Sequence, residues 1–353
     1  MRQFPVILAA LCLVVGTCAF GADDTSDMAL IESVASNLAT CAPLAKADDL
    51  AAYNTASRKL ADSHVLQGVC DETILWGGYN AGKPLNPDNH MLTEFDPRVW
   101  RAEYLAGFMF TGKHTVEKKD GYTVLFMDCA YRNKLDAGDY PYPFWHSKKK
   151  WDSYQRTTNL MFLFEKGHLT ASYRSPEQDA SRPLVEKTFD GNWHWSEKDQ
   201  TQPAVSLYTR IFSKDNPHAK DLETAYRNLE SAARQNNCMS CHSPDNAAHA
   251  KKLVLLTFPN QALNARLTIV NELQSNLMPP KNKDTGLSGV ADEKEKQKLV
   301  ELAKTFADLG DKALAFERKR VSENAADVAA QSGEKNTIKP GDSGSKELNE
   351  IRK

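Results

Sequence analysis

Cys238-Met239-Ser240-Cys241-His242 places two thiols and an imidazole within five residues. On one helical turn, two thiols so spaced can each add to one vinyl group of a haem, and the adjacent imidazole can ligate the iron. C-x-x-C-H is the attachment signature of c-type haem. Two other chemistries use paired cysteines. A thioredoxin-like redox pair wants a βαβ context, and a zinc site wants a second ligand pair of similar spacing. Neither stands in this sequence.

Haem iron has a second face. Met278, in Leu277-Met278-Pro279-Pro280, follows His242 by 36 positions. A residue before proline is pushed toward extended backbone, and the two prolines stiffen the loop that presents the thioether. Histidine–methionine ligation raises the reduction potential, which suits electron transfer. The competing role for a lone methionine is filling an irregular core. The Pro-Pro after Met278 and the haem motif before it favour ligation. His249 is the other candidate, but seven residues from His242 it is too near to wrap to the opposite face. His218 precedes the motif and reads as an exposed residue.

The elements that must position these groups are helical. Lys220 to Arg234 carries Leu222, Tyr226 and Leu229 on one face, and Asn264 to Leu273 carries Leu267, Ile269, Val270 and Leu273. Asp292 reads as an N-cap, with Glu295 completing a capping box. It starts a long helix through Leu299, Leu302, Ala303, Phe306, Leu309, Leu314 and Phe316. The stretch 215–322 thereby resembles a class I c-type cytochrome domain: a helix leading into C-x-x-C-H, intervening helices, a Met-Pro loop and a C-terminal helix crossing the first. The resemblance implies that Cys238 and Cys241 bind one haem c covalently and that His242 and Met278 are its axial ligands. It also offers Leu253, Leu255 and Leu267 as lining of the haem pocket. It covers under a third of the chain. A single C-x-x-C-H argues against the di-haem peroxidases.

The other end of the chain carries an address. Arg2 precedes an almost unbroken apolar run from Phe4 to Gly16, and Ala19-Phe20-Gly21 offers small residues for cleavage. That order is a secretory signal peptide over 1–21. The run is shorter than the roughly 20 residues a membrane span needs. Thr17 stands where a lipobox before Cys18 wants Gly or Ala. The expectation is an exported protein, periplasmic in a Gram-negative cell, with no membrane span after cleavage. The 353 residues carry 44 Lys+Arg against 46 Asp+Glu, which gives no support for binding nucleic acid or an anionic membrane surface. Outside the cytoplasm, Cys41 and Cys70 could pair as a disulfide or stand as separate buried thiols, while Cys129 lies in an alternating strand and reads as core.

Between the signal and the haem stretch, 22–214 predicts an α+β domain that brings no known family into view. Helical spacing runs from Asp27 to Leu60, divided near Pro43. Strands are expected over 122–129, 158–164 and 168–173, the last two joined by a hairpin at Glu165-Lys166-Gly167. Phe189 to Trp193 reads as a further turn. The expected fold is α+β: N-terminal helices plus an antiparallel β-rich domain, then the all-α cytochrome-like domain and a disordered tail over 323–353, which is poor in large apolar residues.

Tyr140 to Trp151 gathers aromatics, His146 and three lysines, which suits either an aromatic core with a solvated lysine turn or a ligand surface joined by Arg156 and Arg174. His90, His114, His146, His168 and His194 have no H-E-x-x-H spacing, and no G-x-S-x-G, P-loop or Rossmann fingerprint appears. The expected function is therefore an exported mono-haem carrier passing single electrons between redox partner proteins, rather than an enzyme. The alternative is a haem enzyme or gas sensor with a displaceable sixth ligand and a substrate site in the N-terminal domain.

Overall fold

The structure is a computed structural model and describes residues 22–70, 72–141, 144, 148–175, 177–187, 208–242, 258–280, 289–290 and 292–335. The signal segment with Cys12 and Cys18, the turn at 189–193, His146, His194, His249, Leu253 and Leu255 lie outside them.

Helix α1 (Ala22–Cys41) turns Ile31, Val34, Ala35 and Leu38 inward at helical spacing. Asp49 caps α2 (Leu50–Ala61), its Oδ1 accepting the Ala52 N–H at 2.8 Å. Ser63 caps α3 (His64–Val69), and its hydroxyl also donates to Asn37 Oδ1 of α1 at 2.7 Å. The three helices thus lean on each other around Tyr53, Leu60 and Leu66.

Among the described residues, six strands form one sheet in the order β2-β1-β6-β5-β4-β3. They are β1 (Ile74–Gly78), β2 (Leu92–Phe95), β3 (Phe108–Lys119), β4 (Tyr122–Tyr131), β5 (Asn159–Glu165) and β6 (His168–Arg174). The hairpins β3–β4 and β5–β6 turn on Asp120-Gly121 and Lys166-Gly167. All four of these residues have positive φ, the two-residue turn that suits the strands' twist. The sheet is mixed rather than antiparallel as expected, because β1 runs parallel to β6, Trp76 facing Ser172. The chain between them is long enough for the crossover that parallel pairing requires. One face packs Trp76, Phe108, Tyr131 and Phe162 against the N-terminal helices. The other holds Val124, Leu163 and Tyr173 under the segment around Leu85, where the Tyr173 hydroxyl donates to the Leu85 carbonyl at 2.9 Å.

After β2, the short helix α4 (Pro97–Val99) passes into a π-helical turn, Trp100–Tyr104, every residue of which is buried. Trp100 and Tyr104 belong to the sheet's core, whereas Val99 and Ala102 join a second core. Helix α5 (Lys148–Arg156) closes the sheet's aromatic end.

The second core is helical: α6 (Ala219–Gln235), α7 (Pro259–Asn264), α8 (Arg266–Gln274) and α9 (Glu293–Lys335). Tyr226 of α6 and Phe306 of α9 place their ring centroids 6.0 Å apart. At Gly310 a Cβ would come within 2.9 Å of both Leu263 and Arg266, so the glycine lets α9 pass close over the α7–α8 junction. The coarse expectation of helices, a sheet and a C-terminal helical region is what the chain forms. The last helix does not end at 322, where the tail was expected to begin, but runs to Lys335. Ala325, Ala326, Ala329 and Ala330 are strong helix formers, and propensity extends the helix beyond its apolar stripe. No helix among the described residues is long and apolar enough to cross a membrane.

Candidate functional site

Helix α6 buries Leu222, Ala225, Tyr226, Leu229, Ala232 and Ala233, and this stripe fixes where its C-terminal end points. Asn236 ends it, with its N–H and its Nδ2 both donating to the Ala232 carbonyl. Asn237 then takes the left-handed conformation, φ 58°, and its N–H donates to the Arg234 carbonyl. Asparagine tolerates that region better than most residues, so the chain can leave the helix axis here.

The next turn carries the C-x-x-C-H segment. Cys238–Ser240 forms a 3₁₀ turn, and the Cys238 carbonyl accepts from the N–H groups of Cys241, at 3.1 Å, and His242, at 3.0 Å. Cys238, Cys241 and His242 therefore share one turn, each partly exposed, and neither cysteine is in a disulfide. Burial pushes the Cys238 thiol up, and the neighbouring Cys241 adds to that shift. Cys238 and Met239 pack against the second core.

Met278 hangs from the same core by another helix end. The Leu277 N–H donates to the Glu272 carbonyl at 3.0 Å, the Asn276 N–H to Leu273 at 3.4 Å, and Asn276 has φ 56°. This is the paired hydrogen-bond pattern that closes a helix on a left-handed residue. Met278 follows, partly exposed, in an Asn276–Pro280 segment flanked by core-packed Ile269, Val270 and Val290. The start of α9 is tied to the motif helix, Asn236 Nδ2 lying 3.4 Å from Glu295 Oε2. Asp292 caps α9 as expected, its Oδ1 accepting from the Lys294 and Glu295 N–H groups.

The donor set fits a covalently held haem: two thiols for two vinyl carbons, an imidazole and a thioether for iron. Among the described residues no three His, Cys, Asp or Glu side chains converge on a metal-sized point, so Cys238, Cys241 and His242 are not gathered as a zinc centre requires. Leu267, near the start of α8, and Leu277, next to Met278 in sequence, are 55% and 56% exposed. His218 sits at the opposite end of α6 from the motif, its N–H donating to Asn216 Oδ1.

In the N-terminal part, Tyr140, Phe144 and Trp151 are buried in the aromatic core and Lys148, Lys149 and Lys150 are exposed. Arg174 lies over the Tyr154 ring at 4.1 Å and donates to Ser153 Oγ. Cys41 and Cys70 are buried thiols with no bond between them, and Cys129 is buried in β4, where its thiol is pushed far up by desolvation.

Sequence reasoning passed over Asn237 and Asn276. The signal was present: an asparagine two residues beyond the end of a helix, one or two residues ahead of a candidate ligand. It also passed over the buried charges Arg98, Arg101, Glu103 and Glu317. No protein-family model, no curated protein and no solved structure matches the chain.

Proposed function

We propose that this is an exported mono-haem c-type cytochrome that passes single electrons between redox partner proteins. The observation that carries the reading is the turn Cys238–His242, where two thiols outside any disulfide and an imidazole are presented together at the end of a core-packed helix. Cys238 Sγ and Cys241 Sγ would hold the group through thioether bonds, with His242 and Met278 on its two faces. Bound haem supplies a one-electron ferric–ferrous couple. The protein's part is to hold two soft or neutral ligands in place, so that the iron changes charge without exchanging a ligand. Partners would dock by a small, transient contact, as redox encounters do. Export is supported by Arg2, the apolar run 4–16 and the small residues at 19–21.

The test is the absorption spectrum of the purified, reduced protein before and after carbon monoxide. Sharp low-spin c-type bands that ignore the gas are expected. A shift on adding it would instead mean an open or weakly held sixth position, and the N-terminal domain would become the place to seek a substrate.

A further inference from the structure

We infer that Asn276 and Gly289 are positioning residues that set how firmly Met278 is held, an inference that rests on Met278 being an iron ligand. The backbone on both sides of Met278 is tied to one glycine. Before it, Asn276 stands in the left-handed region at the end of α8. After it, the Pro279 carbonyl accepts the Gly289 N–H at 2.8 Å. Gly289 itself has φ 85° and lies flat against Asn276: a Cβ built there would be 2.7 Å from Asn276 Oδ1, 3.0 Å from its Cγ and 3.1 Å from its Cβ. The next residue, Val290, packs against the helical core. One anchored glycine thus touches the residue two before Met278 and the residue one after it.

The choice of residues is informative. A helix closed in this pattern needs a left-handed residue, and glycine supplies it at least cost. Asparagine at 276 closes the helix less cheaply than glycine would, and what it adds is a carboxamide, the group that Gly289 packs on. At 289 the left-handed backbone favours glycine, and a methyl group there would push the Asn276 carboxamide aside. The two residues fit each other rather than their own secondary structure. A soft thioether on iron is the weaker of the two axial bonds, so the backbone that carries it decides how often it lets go.

The test uses the full exported holoprotein, with the parent measured first. Its ferric form should show the methionine-to-iron charge-transfer band, and its reduced form should resist carbon monoxide. Gly289→Ala and Asn276→Gly should keep covalent haem, seen as haem stain on a denaturing gel. Both should weaken the methionine band, lower the midpoint potential and raise apparent carbon monoxide affinity by about tenfold, equivalent to ~1.4 kcal/mol. Gly82→Ala is the control: Gly82 has φ 83° with nothing within 4 Å of its Cβ position, so it carries a similar backbone penalty far from Met278. It should lower thermal stability and leave spectrum and potential alone. Variants at 276 and 289 that match the parent in band, potential and gas affinity overturn the positioning role while leaving Met278 as ligand. A parent without the methionine band overturns both.

Discussion

Arg98 and Glu317 form an ion pair inside the protein, with Nη2 3.0 Å from Oε2 and side chains 2% and 0% exposed. Arg98 comes from the stretch after the sheet's edge strand, Glu317 from the last helix, and the pair joins the two cores. The arrangement is nearly saturated. Arg98 also donates to the Ile211 and Ala61 carbonyls and to Asp62, and Glu317 accepts from the Ser213 N–H and Oγ and from Asn216 Nδ2. Burial would raise the Glu317 carboxyl, but the Arg98 guanidinium and the donors of Ser213 and Asn216 outweigh it and hold it below the usual carboxylate range.

Removing one side of this pair leaves the other charge buried. Glu317→Ala is expected to cost ~3–5 kcal/mol of stability, read as a lower midpoint in urea unfolding. The double change Arg98→Met with Glu317→Leu should recover only part of it, since it removes both charges but leaves the Ile211 and Ala61 carbonyls and the Ser213 and Asn216 donors without these partners. The pH dependence has a definite sign. Because the folded carboxyl titrates below the unfolded value of about 4.3, its contribution is full above that value and fades as pH falls through the folded one. Glu317→Gln should therefore flatten the acid limb of the stability profile. A profile unchanged between parent and Glu317→Gln would refute the assignment.

His114 links helix α1 to the sheet at the surface. Its Nδ1–H donates to the Gly112 carbonyl at 3.1 Å and its Nε2–H to Glu32 Oε2 at 2.7 Å, an arrangement that only the protonated ring satisfies in full. The Gly112 carbonyl first, and Glu32 with it, raise the imidazole above its ordinary value despite some desolvation. The stabilisation is complete below about pH 6.5, the unfolded value, and is lost as pH rises through the folded one. An NMR titration of His114 should show a midpoint above 6.5 that drops in Glu32→Gln.

How much of this was legible follows from the range of each interaction. The α6 stripe, the Asp292 cap and the Lys166-Gly167 turn are set within a few residues, and each stands where sequence places it. The β1–β6 pairing was hidden because the five-residue β1 was not among the expected strands, and alternation in β6 carries no sign of its partner's direction. Arg98 and Glu317 were hidden because an ionisable residue in an amphipathic pattern reads as surface until its distant partner is known. The helix past Ser322 was missed by weighing burial alone, where alanine propensity sustains the last turns.

Thiol counting gives an independent check on the haem. A chain that starts at Ala22 carries Cys41, Cys70, Cys129, Cys238 and Cys241. With two of these in thioether bonds, the denatured, unreduced holoprotein should show three titratable thiols. Five would exclude covalent attachment, and one would mean that Cys41 and Cys70 pair on export. In the folded protein Cys129 should resist alkylation, because burial holds it as the unreactive thiol.

Met278→Ala is the change that bears most directly on function. Cys238, Cys241 and His242 remain in their turn at the end of α6, so covalent haem and proximal ligation are expected to survive. What is lost is the thioether on the opposite face, and with it low-spin character and the high potential that histidine–methionine ligation confers. The variant should turn high-spin and bind carbon monoxide when reduced, and its electron transfer to small redox dyes should fall. The neighbouring Leu277→Ala trims an exposed side chain and should leave the spectrum as it was. If Met278→Ala keeps an unchanged low-spin spectrum, another residue holds the sixth position and Met278 is not the ligand.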